Sequence, residues 1–331
     1  MLEQWIAGNV RDVRGPFSLT KLPGGNSNIT VLVEDASGVR MVLRRPPEGA
    51  ALATAHDVLR EARILTALSR AGIPVPEVIA TCADPAVIGA PFVLMRHVDG
   101  VACLGVAEAR SLDDGARRGA GASLARTLAA LHALDIDAVG LADLGRRDNY
   151  VARQLRRWHG QVETDRQRPT PDIDAAHTML SQCVPPQQRD AIVHGDFRLD
   201  NCILAPDGAV RAVVDWEICA LGDPLADLGV LLAYWTEPGD EISSLHDPPT
   251  LAGGFSRRDD LAASYLRAAG LPAGTAVSFY VAFAWWKLAC IIEGVWARAV
   301  RRQCSLARPL NSYADQALRV AAHARHLATF R

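Results

Sequence analysis

Strand-like runs open the readable pattern of the chain. FSLTKL, NITVLVE and RMVLRR, with the turn DASG between the last two, predict an antiparallel meander. The period then changes. In HDVLREARILTALSRAG, Val58, Ala62, Leu65 and Leu68 share one helical face, Asp57 stands at the N-cap position and Gly72 at the stop. IPVPEVIATC and APFVLMRHVDG predict two more strands, the second ending in an Asp-Gly turn. From about Val101 helical periodicity dominates, with GARRGAGASLARTLAALHAL and NYVARQLRRWHGQVE as amphipathic segments. One β-rich stretch interrupts it, AIVHGDFRLDNCILAPDGAVRAVVDWE, in which APDGA is a turn. After the Pro/Gly-rich EPGDEISSLHDPPTLAGG the chain ends in helices. The pattern predicts an α+β protein in two parts: residues 1–98, a small antiparallel sheet with one main helix, and residues 99–331, larger and mostly helical.

Composition narrows the class. A chain of 331 residues has room for two domains or lobes at about 150 residues each. Its 49% hydrophobic and 22% charged content leaves no long disordered tail, and a net charge of -2 gives no nucleic-acid footprint. MLEQWIAGNVRDVRG carries Glu3 and breaks its apolar run early, so no secretory signal is read and a cytoplasmic location is the default expectation. The one membrane-like run, VSFYVAFAWWKLACIIEGVWARAV, is interrupted by Lys287 and Glu293 and is expected to be a buried helix. Seven cysteines without a C-x-x-C pair or a Cys/His cluster read as reduced core thiols. Lysine occurs only at Lys21 and Lys287, so any phosphate clamp must be built mainly from arginine.

The chemistry gathers in IVHGDFRLDN, which sets His194, Gly195, Asp196, Arg198, Asp200 and Asn201 just after an apolar run, and in VVDWE, which adds Asp215. A loop carrying Asp and Asn, followed by a hairpin carrying another Asp, can bring a proton acceptor and two oxygen ligands around Mg²⁺. That ion takes carboxylate or carbonyl oxygens plus substrate phosphates. Taken singly, the same residues could merely cap and satisfy a loop.

Together they resemble the kinase catalytic loop, H-x-D-x-x-x-x-N followed by a metal-binding Asp. The variant HGDFRLDN, with DWE and GDPLADLG, resembles the aminoglycoside phosphotransferase family of protein-kinase-like small-molecule kinases. It is most similar to the branch related to the kinase-like domains joined to some acyl-CoA dehydrogenases. The likeness runs from about Leu22 to Arg302 and implies a two-lobed protein-kinase-like fold with ATP and Mg²⁺ as cofactors. It implies Asp196 as catalytic base, Asn201 and Asp215 as metal ligands, His194 as an anchor of the loop and Arg198 as a γ-phosphate contact. Asp223 and Asp227 would brace the loop, with a helix N-cap as the alternative for Asp227. In RMVLRR, Arg44 stands where the family carries a phosphate-pairing lysine, with Glu61 as its partner; an ordinary surface pair is the alternative. Gly24, Gly25, Asn26, Ser27 and Asn28 occupy the place of a phosphate-covering loop, although such glycines also make plain turns. Met95, Arg96, His97 and Val98 resemble the hinge that pairs with adenine.

The acceptor is less legible. From Ser256 to Arg331 eleven basic residues face only Asp259, Asp260, Glu293 and Asp315, a bias that suits an anionic acceptor better than a polycationic one. Phe279, Tyr280, Phe283, Trp285, Trp286 and Trp296 read mainly as helix packing, and Tyr150 and Trp158 as lobe packing or pocket. The expected activity is O-phosphorylation of a small hydroxylated molecule, with a hydroxyacyl-CoA preferred over an aminoglycoside or amino alcohol. A nucleotide-binding pseudokinase acting as a regulatory partner is the alternative of another class, and a metal-dependent hydrolase lacks further histidines at usable spacing. No nucleic-acid or membrane partner is expected; a homodimer and functional pairing with a separate acyl-CoA dehydrogenase are compatible with the resemblance.

Overall fold

The structure is a computed structural model, and it describes residues 1–22, 28–47, 57–302 and 308–329. The N-terminal part is a five-stranded antiparallel sheet, β1 (Ser18–Lys21), β2 (Ile29–Glu34), β3 (Arg40–Arg45), β4 (Val78–Cys82) and β5 (Phe92–Arg96), in the order β1-β2-β3-β5-β4. Side chains alternate across a strand, so this sheet has two separate interiors. Met41, Leu43, Phe92 and Leu94 pack with Ile6 and Val10 of a short helix α1 (Leu2–Asn9) and its exit. Trp5 meets Phe92 edge to face at 4.8 Å. Val93 and Met95 face the other way, toward Val58, Ala62 and Leu65 of α2 (Val58–Arg70). The sequence pattern did not predict α1. It is eight residues long, with Ile6 its one fully buried side chain, too little apolar periodicity to register.

Helix α2 begins and ends as its sequence predicts. The Asp57 carboxylate accepts from the amides of Leu59 and Arg60, and Gly72 closes the helix at a φ of +80°. Because Arg44 lies on β3 one residue beyond Leu43, it points to the α2 side of the sheet, where Glu61 waits on the first turn.

The larger part holds α3 (Val106–Arg110), α4 (Asp114–His132), α5 (Tyr150–Asp165), α6 (Pro171–Gln182), α7 (Pro224–Ala233), α8 (Arg258–Ala268), α9 (Ser278–Arg302) and α10 (Leu310–Thr329). Set among them are β6 (Val101–Ala102), β8 (Cys202–Leu204) and β9 (Val210–Val213) in one small sheet, and the pair β7 (Ala191–Val193) with β10 (Ala220–Gly222). Helix α9 is long and apolar enough to cross a membrane, yet 72% of its most apolar stretch is buried within the protein. It packs on α7, α10 and α5, and its Tyr280, Phe283, Trp285 and Trp286 are core. The described cysteines are all free thiols, five of them buried.

Part of the arginine excess of the C-terminal segment is cancelled in three dimensions. Arg298 and Arg301 meet Asp165 at 3.6 and 2.7 Å, Arg325 meets Asp172 at 2.8 Å, and Arg258 pairs with Glu237 and Asp240. Acidic residues outside the segment neutralise it, which a count along the chain cannot register. The bias therefore does not by itself describe a binding surface.

Candidate active site

Strand β7 delivers IVHGDFRLDN to the surface of the helical part, and Gly195 makes the turn possible. Its φ is +86°, and a Cβ there would come within 3.0 Å of the Ile218 carbonyl oxygen. The loop is gripped from beneath by Asp227 in α7. One carboxylate oxygen accepts from the His194 amide at 2.6 Å and the other from the Gly195 amide at 2.8 Å. Asp227 also lies 3.3 Å from His132 Nε2, whose Nδ1 meets the Tyr265 hydroxyl at 2.8 Å. Burial pushes the Asp227 carboxyl up, but the bonds from His132 and the Gly195 amide outweigh it and hold the pKa below the ordinary value.

The N-cap of α7 is Asp223, which accepts from Leu225 N at 3.1 Å, whereas Asp227 lies inside the helix; the N-cap alternative for Asp227 is thereby corrected. Asp223 also accepts from the Tyr280 hydroxyl at 2.8 Å, and burial raises its pKa. His194 is completely buried. Its Nδ1 accepts from the Asp196 amide at 3.2 Å, which leaves Nε2–H to donate to Val214 O at 3.0 Å.

Above this base the Asp196 carboxylate is partly exposed, accepting from Arg198 Nε at 3.0 Å and Asn201 Nδ2 at 3.1 Å. The Asn201 amide also donates to Asp196 O at 2.9 Å, which turns its Oδ1 outward with no partner among the described residues. The hairpin β8–β9 then sets Asp215 close by, because the ladder pairs Cys202 with Val213 and continues as Val214 N to Asn201 O at 2.9 Å. Asp215 has a φ of +69°, unusual for a residue with a side chain. Arg198 folds back on its own loop, 2.7 Å from Asp200 and 4.8 Å over the Tyr234 ring. Burial alone would lower the Arg198 pKa; Asp196 and Asp200 raise it. Burial also pushes Asp200 up to about 6.

Arg44 reaches this assembly from the sheet. Its Nε lies 3.2 Å from Glu61 Oε2, and its terminal nitrogen bonds Asp215 and stands 3.6 Å from Glu217. Glu61 accepts from the Trp216 amide at 3.3 Å, and Arg60 donates to the carbonyls of Glu217 and Cys219. Two successive α2 residues thus hold the segment carrying Asp215. The Arg44–Glu61 contact is a buried ion pair, not the exposed surface pair kept as an alternative, although it lacks the alignment of a hydrogen bond. Burial and the neighbouring Asp215 carboxylate push Glu61 up despite Arg44, while the three carboxylates raise Arg44 against the effect of burial.

Where the resemblance implies a phosphate-covering loop, Asn28 is buried with both side-chain amide atoms unpartnered among the described residues. Gly24, Gly25, Asn26 and Ser27 lie outside the described residues. At the exit of β5, the expected hinge, Met95 is buried, and the amides of Arg96 and His97 donate to Glu77 O at 2.8 Å and Arg40 O at 3.2 Å. The Val98 amide has no partner among the described residues.

Five carboxylates, Glu61, Asp196, Asp200, Asp215 and Glu217, thus share two guanidiniums, Arg44 and Arg198. That excess of negative charge, with hard oxygen donors at Asn201 Oδ1 and Asp215, fits Mg²⁺. The sequence did not point to His132, Arg60 or Lys287 as parts of the site, although Lys287 stood out as a charge in an apolar run. Their one signal was polarity in an apolar helix: His132 in LAALHAL and Lys287 in AWWKLAC.

The family model described as the phosphotransferase enzyme family matches residues 18–280. Acyl-CoA dehydrogenase family member 10 of Mus musculus is 34% identical over 310 residues, 92% of this chain and 29% of that protein. The chain spans less than two fifths of the length of the curated relatives it matches. A crystal structure from Ralstonia eutropha JMP134, provisionally assigned as an aminoglycoside phosphotransferase, shares 30% identity with a TM-score of 0.81, covering 99% of this chain and 97% of that one. The GDP complex of wild-type aminoglycoside 2′-phosphotransferase-IIIa shares the fold at 16% identity and a TM-score of 0.64, over 98% of this chain and 97% of that one.

Proposed function

The chain belongs to the phosphotransferase enzyme family, and from that premise we propose that it is a small-molecule kinase transferring the γ-phosphoryl group of ATP to a hydroxyl of an anionic acceptor of the hydroxyacyl-CoA type. The observation that carries this reading is the convergence of Asp196, Asn201 and Asp215 on one loop and one hairpin, against Arg44. In it, residues 1–98 clamp the nucleotide and residues 99–331 carry catalysis and the acceptor.

The Asp196 carboxylate orients the acceptor hydroxyl and takes its proton as the hydroxyl oxygen bonds to the γ-phosphorus and the bond to the departing ADP oxygen breaks. A base so placed contributes about 10² to 10⁴ in rate. Asn201 Oδ1 and Asp215 would hold Mg²⁺, which would supply charge neutralisation at the phosphates. Arg44 offers its guanidinium to the α- and β-phosphates, Val98 its amide to adenine, and Arg198 its charge to the γ-phosphate.

Three supports favour an anionic acceptor. Arg156 and Arg157 of α5 are exposed and have no carboxylate partner among the described residues. Arg157 stands 5.6 Å from the Trp158 ring centroid, and Lys287 lies 5.9 Å from the same ring. A CoA ester carries several phosphates, and curated relatives are named as acyl-CoA dehydrogenase family members; a separate dehydrogenase acting on the acyl chain is the functional partner of this reading.

The test is ADP release, with Mg-ATP, across hydroxyacyl-CoAs, amino alcohols, sugars and aminoglycosides. Turnover with hydroxyacyl-CoAs is expected, and Arg157→Glu should raise the KM for that acceptor about tenfold at unchanged KM for ATP. A response confined to aminoglycosides overturns the acceptor assignment.

A further inference from the structure

Lys287 is the residue the chain had least reason to keep. It lies in the middle of α9 among buried Trp285, Trp286, Ala289 and Cys290, and is itself only 7% exposed. An ammonium is among the groups least often buried, and it is costly there unless partnered. No carboxylate lies within ion-pair distance of it among the described residues. Burial lowers its pKa, while the charges of Asp196 and Asp227 act in the opposite sense. What Lys287 does make is one hydrogen bond: Nζ donates to Gly195 O at 2.8 Å. The Trp158 ring of α5 lies 5.9 Å from the ammonium, Nζ to centroid.

That bond falls at a telling place. The peptide joining Gly195 to Asp196 is held at both ends, its oxygen by Lys287 and its N–H by His194 Nδ1 at 3.2 Å. The amide on the near side of Gly195 is fixed by Asp227 at 2.8 Å. Gly195, at a φ of +86°, is the freest residue in the loop, and without these contacts the peptide could rotate. Rotation would carry the Asp196 carboxylate with it.

We propose that Lys287 is a positioning residue for Asp196, fixing the Gly195–Asp196 peptide and so the direction in which the carboxylate meets the acceptor hydroxyl. The inference rests on the reading of Asp196 as the base. A displacement of about 1 Å at a reacting group can cost about 10²-fold in rate, so a remote ammonium can matter this much.

The test compares wild type with Lys287→Met and, as control, Asp196→Asn, by two readouts. The first needs no activity: amide hydrogen exchange in the unliganded protein. Lys287→Met should accelerate exchange of the Gly195 and Asp196 amides about tenfold, while amides of α7 and β7 stay within about twofold. The second is ADP release from Mg-ATP with water as acceptor, where kcat should fall about thirtyfold with the KM for ATP unchanged. If Lys287→Met does not fold, Lys287→Gln is read by the same criteria, with smaller changes expected. Unaltered exchange at Gly195 and Asp196 overturns the proposal, and so does a kcat within twofold of wild type. Should Asp196→Asn itself retain full turnover, the reading of the base fails, a different result from the failure of Lys287.

Discussion

The loop carrying Asp196 and the region around Arg44 and Glu61 meet at Asp215 but are built differently. Around the loop, buried polar groups find partners within the chain: the His194 and Gly195 amides on Asp227, the Gly195 carbonyl on Lys287, His132 between Asp227 and Tyr265. In the region the resemblance assigns to the nucleotide, both side-chain amide atoms of Asn28 are buried without a hydrogen-bond partner among the described residues, and Arg44 Nε and Glu61 Oε2 meet as an ion pair at 3.2 Å without the alignment of a hydrogen bond. An unsatisfied buried polar group costs about 1–3 kcal/mol, so a fold keeps a cluster of them chiefly where function uses them. On the proposed reading, the difference means that the loop carrying Asp196 is preorganised by the protein, whereas the region of Arg44 and Asn28 keeps polar capacity for a nucleotide.

This contrast can be broken at three points. The largest effect belongs to the base. Asp196→Asn should lower phosphoryl transfer by about 10² to 10⁴ while calorimetry finds the ATP affinity unchanged. A parallel loss of ATP binding would show that the two regions are not separable. Next comes the support of the loop. Asp227→Asn sets an amide against the His194 or Gly195 N–H, and removing one member of such a buried charged network costs about 3–5 kcal/mol, measurable by urea unfolding. The carboxyl of Asp227 is held below its ordinary value of about 3.9. Its contribution to stability is therefore present above that value and lost as pH falls through the folded-state pKa. Wild-type unfolding midpoints should drop on acidification below about pH 4, and the Asn variant should show a flatter slope there.

The smallest effect sharpens the clamp. An ammonium cannot span Glu61, Asp215 and Glu217 as the planar fork of Arg44 does. Arg44→Lys should weaken ATP binding about fivefold with little change in kcat. Equal or tighter binding by the lysine variant would show that the fork is dispensable.

Much of this was legible along the chain. The alternation in RMVLRR put Arg44 on a definite face of a strand, and Asp57 and Gly72 bounded α2, because caps and strand faces are decided by neighbours in sequence. The catalytic loop was legible because Asp196, Asn201 and Asp215 lie within one loop and one hairpin. Lys287 was read only as a charge that spoiled a membrane-like run, since its partner Gly195 is 92 residues away. The arginine surplus after Ser256 is partly offset by carboxylates that a count along the segment misses, for the same reason: Asp165 and Asp172 come from a segment remote in sequence.

By itself, then, the sequence determined the order of the main strands and helices after α1, the capping of α2 and the loop that carries Asp196, all consequences of short-range pattern and spacing. Tertiary structure alone decided which charges are cancelled, which carboxylates share Arg44, and that an ammonium from α9 ends on Gly195. Those outcomes depend on burial and on distances between segments far apart in the chain, and no local pattern encodes them.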